Sequence, residues 1–332
     1  MKKILITGAS GFIGSSLVEE GLKRGYELVA GIRSTSNRKY LSDERIKFIE
    51  LDFANKENLK KQISGFSSEH GKFDYVIHNA GITKAKKISD YFIVNSQYTK
   101  NLVDALIESG NTPEKFIYMS SLAAIGPGVT KDPIRHTDEP KPVTSYGKSK
   151  LESENYLKSI DNFPYIIIRP TAVYGPRDKD IFVLIKMLNS KIEAYIGFGK
   201  QILSFIHVKD LVKAIFLTLE SPLKRKEYLV SDGAFYDSKT FNTIAKKYLE
   251  KKTFALTIPI FVVRPIAYTT ETIAMLFGNI ALLNRERLKE FAARNWAVDT
   301  QPLQNEIGFK AEYDLDRGLK ETIEWYKTNG WL

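Results

Sequence analysis

The stretch KKILITGASGFIG, residues 2–14, decides how the rest of the chain is read. A short apolar run, Ile4 to Ile6, meets a turn at Thr7-Gly8, and a helical pattern then continues to about Arg24, where Gly25 is placed to end it. The run is too short for a secretory signal core, so it reads as a first strand. Gly8, Gly11 and Gly14 are spaced G-x-x-G-x-x-G between that strand and that helix. Glycine lets backbone approach a pyrophosphate, and a helix N-terminus offers free N–H groups and a positive dipole. In this strand–turn–helix setting the glycines, with Phe12 and Ile13 between them, predict a dinucleotide site. The plainer alternative is a packing turn.

The pattern repeats outward from that unit. YELVAGI, IKFIELD, FDYVIHNA, KFIYMSS and YIIIRP read as five further strands, with a long helix pattern over about 89–109 and another helix after residue 142. Near-continuous apolar strands alternating with helices predict an α/β fold, a Rossmann-type doubly wound parallel sheet. Residues 202–208 and 227–231 read as looser continuation strands. From about Thr171 the order becomes irregular, with prolines at 176, 222, 259 and 265. The expected organisation is a dinucleotide-binding domain over 1–170 with contributions from about 202–232. Segments 171–201 and 233–332 would form a smaller, discontinuous substrate domain.

The end of the second strand reports on the adenosine ribose. An NAD site wants an acid about 20 residues past the glycines, and an NADP site wants positive charge. After Glu27 the next acid is Asp43, while Arg33 stands at the strand end and Arg38 and Lys39 follow in the same loop. A guanidinium binds phosphate through two parallel hydrogen bonds. NADP is therefore favoured over NAD, against the reading of these residues as ordinary loop charges. Asp52, ending the third strand, is a candidate acceptor for the adenine amine, with Phe53 beside it. Asn79, Ala80 and Gly81 end the fourth and let backbone approach the cofactor.

The chain's 332 residues and 27% charged residues suit a soluble globular protein, and the absence of cysteine removes disulfides and thiolate metal sites. It also suits a reducing compartment, so a cytoplasmic location is expected; no metal cluster is expected. Net charge is +10, but the lysines are scattered, with only short runs such as KAKK at 84–87. A solvated basic surface is the better reading than nucleic-acid binding.

PVTSYGKSKLESENYL, residues 142–157, places Tyr146 four residues before Lys150, on one helix face. That spacing is common in helices and means little by itself. Together, TGASGFIG, Asp52, HNAG, Asn95 in VNSQYTKNLVDAL, the serines at 120 and 121, Tyr146-x-x-x-Lys150, RPTAVYGP and FIHVKDL resemble the extended short-chain dehydrogenase/reductases, over nearly the whole chain. The resemblance implies that Tyr146 is the catalytic acid/base, that Lys150 holds the nicotinamide ribose, and that Ser121 bonds the reacting oxygen. Ser120 is read as a structural hydroxyl. Pro170 joins the implied cofactor contacts. A phenol titrates near pH ~10, and a neighbouring ammonium lowers that value, which is the expected service of Lys150.

Ser121 is followed by Leu122 and Ala123, not by the Asp-Glu pair that similar sugar-nucleotide dehydratases carry. Thr171 stands where related epimerases often have asparagine, and Tyr98 where they often have glycine, although Arg177 remains available for a phosphate. What is left is similar to the dihydroflavonol-reductase and hydroxysteroid-dehydrogenase branches, in the Arg33 pattern above all. The expected activity is an NADP-dependent hydride transfer to or from a carbonyl or secondary alcohol of a bulky organic substrate. A nucleotide-sugar epimerase with tightly bound cofactor is the alternative, and a non-catalytic NADP sensor or nucleic-acid binder a third reading. A homodimer is expected by analogy.

His207 and Asp210 are read as structural, and Trp296 and Trp325 as core. Residues 256–283 are the most apolar long stretch, with Arg264 and Glu271 their only charges. Pro265 suits a helix start there, and Ile273, Leu276, Phe277, Ile280 and Leu283 recur at helical spacing. The segment reads as a core helix, or as the wall of an apolar substrate cleft with peripheral membrane contact.

Overall fold

The computed structural model describes residues 1–197, 199, 201–276 and 285–332. Strand β1 (Lys3–Thr7) runs into helix α1 (Phe12–Lys23), which ends at Arg24 before Gly25 at φ +78°. Then come β2 (Glu27–Ile32), β3 (Lys47–Glu50), α2 (Lys56–His70) and β4 (Tyr75–His78). Asn55 starts α2 by accepting the Asn58 amide at 3.0 Å. The long helix predicted next is real but not uniform: α3 (Ile88–Tyr91) passes through a π-helical stretch, Phe92–Gln97, into α4 (Tyr98–Glu108). The wider turn carries Asn95. Strand β5 (Lys115–Met119), helix α5 (Ser145–Ser159) and β6 (Tyr165–Pro170) follow.

All strand pairs among the described residues are parallel, and the central sheet runs β10–β6–β5–β4–β1–β2–β3, where β10 is Lys226–Val230. Alternate side chains of β1 therefore enter different cores. Ile4 and Ile6 pack with Leu17 and Val18 of α1 and with Leu211, Ile215 and Phe216 of α7 (Val208–Glu220). Leu5 packs on the other face with Leu59, Leu102, Leu106 and Leu157 from α2, α4 and α5. This is a Rossmann-like doubly wound fold.

Strand β7 (Ala172–Tyr174) leaves the sheet and pairs with β9 (Phe205–His207) in a separate two-stranded sheet. The continuation strand predicted over 202–208 is thus shorter and lies outside the main sheet, whose edge is taken by β10. Between them lie α6 (Asp180–Asn189) and β8 (Ile192–Ile196), which pairs with β11 (Phe254–Ile258). Helices α8 (Ser238–Leu249), α9 (Ile260–Leu276), α10 (Arg285–Ala292), α11 (Gln301–Ile307) and α12 (Leu315–Thr328) complete this half. Its own core joins Tyr174, Ile185, Phe241, Leu249, Leu319 and Tyr326.

Pro265 does not start α9 but sits inside it. Lacking an N–H, it leaves the Phe261 carbonyl without its usual helical donor, a defect tolerated on an exposed helix that water can reach. Of the apolar positions predicted there, Phe277, Ile280 and Leu283 lie outside the described residues.

His207 and Asp210, read as structural, stand at the end of β9 and in the first turn of α7. His207 is buried and stacks on Tyr313 with ring centres 4.2 Å apart. Asp210 accepts the backbone N–H of Tyr313 at 2.8 Å.

Candidate active site

A cleft of about 1680 Å³ opens along the carboxyl ends of the central strands. At its dinucleotide end, Gly8 has φ +66°, and a Cβ there would lie 2.8 Å from the Ala80 nitrogen. A Cβ on Gly14 would lie 2.0 Å from the Gly8 carbonyl oxygen. Both close approaches require glycine, and they bring the start of α1 down onto the ends of β1 and β4. Gly11 begins α1 with no side-chain cap. The first-turn amides of Phe12 and Ile13 therefore have no intrahelical partner, and both residues line the cleft. Gly14 does its work beneath the surface, as packing. A backbone cradle with free amides fits a pyrophosphate.

The neighbouring loop is only partly as predicted. Arg33 is exposed and lines the cleft, as does Lys39. Arg38 does not: its guanidinium lies 4.5 Å from the centre of the Phe48 ring and is drawn off by that cation–π contact. Asp52 and Phe53 line the cleft two and three residues past the end of β3. The Asp52 carboxylate accepts the Ala54 amide and the Asn58 side chain, each at 3.2 Å. Asn79, Ala80, Gly81 and Pro170 also line it.

The catalytic candidates meet at the centre. Thr144 caps α5 by accepting the Gly147 amide at 3.1 Å, so the first turn of α5 presents Tyr146 and the next presents Lys150. The Lys150 ammonium donates to the Met119 carbonyl at 2.8 Å and lies 5.0 Å from the centre of the Tyr118 ring. Asn95 braces this region from the π-helical turn. Its Oδ1 accepts the Ile82 amide at 2.8 Å, and its Nδ2 donates to the Ile82 carbonyl at 3.0 Å and to Ser149 Oγ at 3.1 Å. A Cβ on Gly81 would lie 2.9 Å from Asn95 Oδ1 and 3.2 Å from Lys150 Nζ. Ser120, Ser121 and Tyr146 all line the cleft, but the Ser120 hydroxyl is committed to the buried Glu154 carboxylate, to which it donates.

The electrostatics depart from expectation. Burial pushes the Tyr146 phenol up to about 12, with the Ser121 hydroxyl opposing the rise. Burial also lowers Lys150 to about 8, against the pull of Glu154. Lys150 does not draw the phenol below its ordinary value here: both groups lose hydration, and the ammonium is directed at the Met119 carbonyl.

Several cleft residues were missed in the sequence or read differently there. Arg177, considered for a phosphate, instead pairs with Glu19 at 2.6 Å and lies 4.3 Å from the centre of the Tyr40 ring. Helix α10 contributes Glu286, Arg287 and Glu290, and Trp296, read as core, lines the cleft too. Lys84 pairs with Asp180, with Arg287 4.0 Å from the same carboxylate. Arg264 is exposed on α9, so the cations of this half come from other elements. No local period marks such residues; the KAKK run was the one visible trace of Lys84.

Comparisons with known proteins agree on the class. A sterol-4-alpha-carboxylate 3-dehydrogenase (decarboxylating) of Dictyostelium discoideum is 24% identical over 97% of this chain and 100% of its own length. A UDP-glucose 4-epimerase of Vibrio cholerae is 27% identical over 97% of this chain and 95% of its own. The solved UDP-glucose 4-epimerase of Thermus thermophilus, in complex with NAD, shares the fold with a TM-score of 0.77 at 21% identity, covering 98% of this chain and 99% of its own. The family model described as NAD dependent epimerase/dehydratase matches residues 4–231. With that match over most of its length, the chain belongs to the NAD dependent epimerase/dehydratase family, as an enzyme of the extended short-chain dehydrogenase/reductase type.

Proposed function

We propose that this enzyme reduces a carbonyl, or oxidises the matching secondary alcohol, of a large apolar substrate. The observation that carries the proposal is the convergence of Ser121, Tyr146 and Lys150 on a cleft whose far half is lined by Leu184, Leu203, Phe205, Phe291 and Trp296. The similarity to a protein named for a sterol substrate supports the substrate class. A bound nicotinamide dinucleotide supplies or accepts the hydride. Tyr146, held protonated by burial, donates its proton to the oxygen on which alkoxide charge develops, and Ser121 donates a hydrogen bond to the same oxygen. Lys150, whose ammonium donates to the Met119 carbonyl at the same end of the cleft, would hold the nicotinamide ribose. Gly8, Gly11, Phe12 and Ile13 hold the pyrophosphate, and Asn79, Ala80, Gly81 and Pro170 border the nicotinamide half. The described residues of segments 171–201 and 233–332 would form the substrate side, joined by Leu203 and Phe205 from the stretch between them.

Arg33 and Lys39, both in the cleft lining, support NADP as the proposed form, although the solved Thermus relative carries NAD. A second reading, epimerisation of a sugar diphosphate, is favoured by Lys84 and Arg287 beside Asp180 in the cleft. One assay separates the two. Absorbance of the reduced cofactor is followed with sterol and long-chain ketones, and UDP-glucose is checked for conversion without added cofactor. Net oxidation of NADPH by an apolar ketone is expected; sugar conversion with no net change in cofactor overturns it.

A further inference from the structure

Residues 251–270, KKTFALTIPIFVVRPIAYTT, carry three cations and no acid. They form β11 and most of α9. Among the described side chains of α9, Val263 and Ala267 are buried against Leu288 of α10, with Ile258 of β11 packed on the same cluster. Several other apolar side chains of the segment face outward. Phe254 is 78% exposed, Phe261 71% and Tyr268 54%, with Leu256, Val262 and Ile266 exposed beside them. Lys251, Lys252 and Arg264 are exposed on the same segment. Soluble proteins rarely leave so many large apolar groups together in water. Aromatic and aliphatic side chains among cations, with no carboxylate between them, match an interface of apolar tails below anionic headgroups. No helix among the described residues is long and apolar enough to cross a membrane, so contact through this segment is lateral.

The position of the patch gives it a use. Leu288 packs against α9, while Glu290 and Phe291 on the same helix α10 line the catalytic cleft. One helix thus separates the outward face of α9 from the substrate half of the cleft. We propose that β11 and α9 form a peripheral docking face for an anionic bilayer, which brings the cleft to a substrate held in lipid. For its purpose this rests on the apolar substrate proposed above, but the binding itself requires no substrate.

The test uses the full chain and two vesicle preparations, one of phosphatidylcholine and one of equal parts phosphatidylcholine and phosphatidylglycerol. Co-sedimentation with the anionic vesicles alone is expected, weakened by salt. Phe261→Ser, and Lys251→Ala with Lys252→Ala, should each reduce binding about tenfold. Circular dichroism and cofactor titration should remain as in the parent, since these side chains are exposed and remote from the cofactor cradle. Equal sedimentation of parent and variants, or no sedimentation with either preparation, overturns the proposal. So does a dimer in analytical ultracentrifugation that Phe261→Ser dissociates while vesicles are ignored, because the face would then be covered by a second copy. Loss of vesicle binding with NADPH oxidation intact, or the reverse, shows which of the two proposals fails.

Discussion

Arg169 and Glu154 form a doubly hydrogen-bonded ion pair at 2.9 and 2.6 Å, with side chains 1% and 0% exposed. The pair ties β6 to α5, the helix that carries Tyr146 and Lys150. Glu154 also accepts the Ser120 hydroxyl, and Arg169 reaches Glu227 on β10. Removing one member leaves the other charged and buried. Glu154→Ala should therefore lower unfolding free energy by about 3–5 kcal/mol, toward the low end because Glu227 remains. Replacing the pair together, by Arg169→Met with Glu154→Leu, should cost less. Urea unfolding of the three proteins checks the order.

Tyr146→Phe keeps the ring and removes the proton. Turnover should fall about a hundredfold or more while cofactor affinity persists. Lys150→Met should lower both, because the ammonium is assigned the nicotinamide ribose and so the placement of the reacting ring. Single-turnover rates and cofactor fluorescence titrations separate the two effects; unchanged turnover in Tyr146→Phe would remove that residue from the chemistry.

Arg33→Ala should weaken NADPH binding about ten- to a hundredfold, from a charge-assisted contact of roughly 1.5–3 kcal/mol, and leave NADH nearly unaffected. Titrating both cofactors into parent and variant decides it. Tighter binding of NADH by the parent protein would reject the 2′-phosphate assignment.

Gly81→Ala places a methyl 2.9 Å from Asn95 Oδ1 and 3.2 Å from Lys150 Nζ. Asn95 is held by Ile82 and Ser149 and has little room to yield. Lys150 should be displaced, so turnover should drop about tenfold or more with the fold retained, a 1 Å misplacement being sufficient for such losses. Steady-state kinetics beside a thermal melt test this.

Two buried histidines lower stability toward acid, opposed in part by Asp178 and Asp232, whose carboxyls burial pushes up to about 6. Burial lowers His78 to about 3 and His207 to about 4, both below the ordinary 6.5. Below pH 6.5 the unfolded chain binds protons that the folded chain refuses, so stability is lost as pH falls toward those folded values. Near pH ~4.5 the loss should reach about 2–3 kcal/mol for each. His207→Phe should keep the stack on Tyr313 and flatten the fall between neutral and acid pH. Denaturant unfolding across that range checks the slope.

The central sheet was legible because each of its features is local. Apolar runs mark buried parallel strands, Gly25 marks the end of α1, and the glycine spacing marks the β1–α1 turn. Tyr146 and Lys150 were legible through their resemblance and fall together in the structure. The rest depended on contacts between distant segments. Nothing near Arg38 in sequence announces Phe48, nor does Arg177 announce Glu19. The Glu286, Arg287 and Glu290 side of α10 has no period that distinguishes a cleft from solvent. Strand β9 looked like sheet continuation because its composition is that of a sheet strand; β10 claimed the edge of β6 instead.

That edge has a consequence during synthesis. Strand β6 ends at Pro170, but its outer neighbour begins only at Lys226. At ordinary elongation rates of about 5–20 residues per second, the β6 backbone waits several seconds on the ribosome with one side unpaired. An open apolar edge is a template for joining another nascent chain. Codons that slow translation between these two strands would lengthen that interval and favour aggregation of incomplete chains, with no change in the finished enzyme.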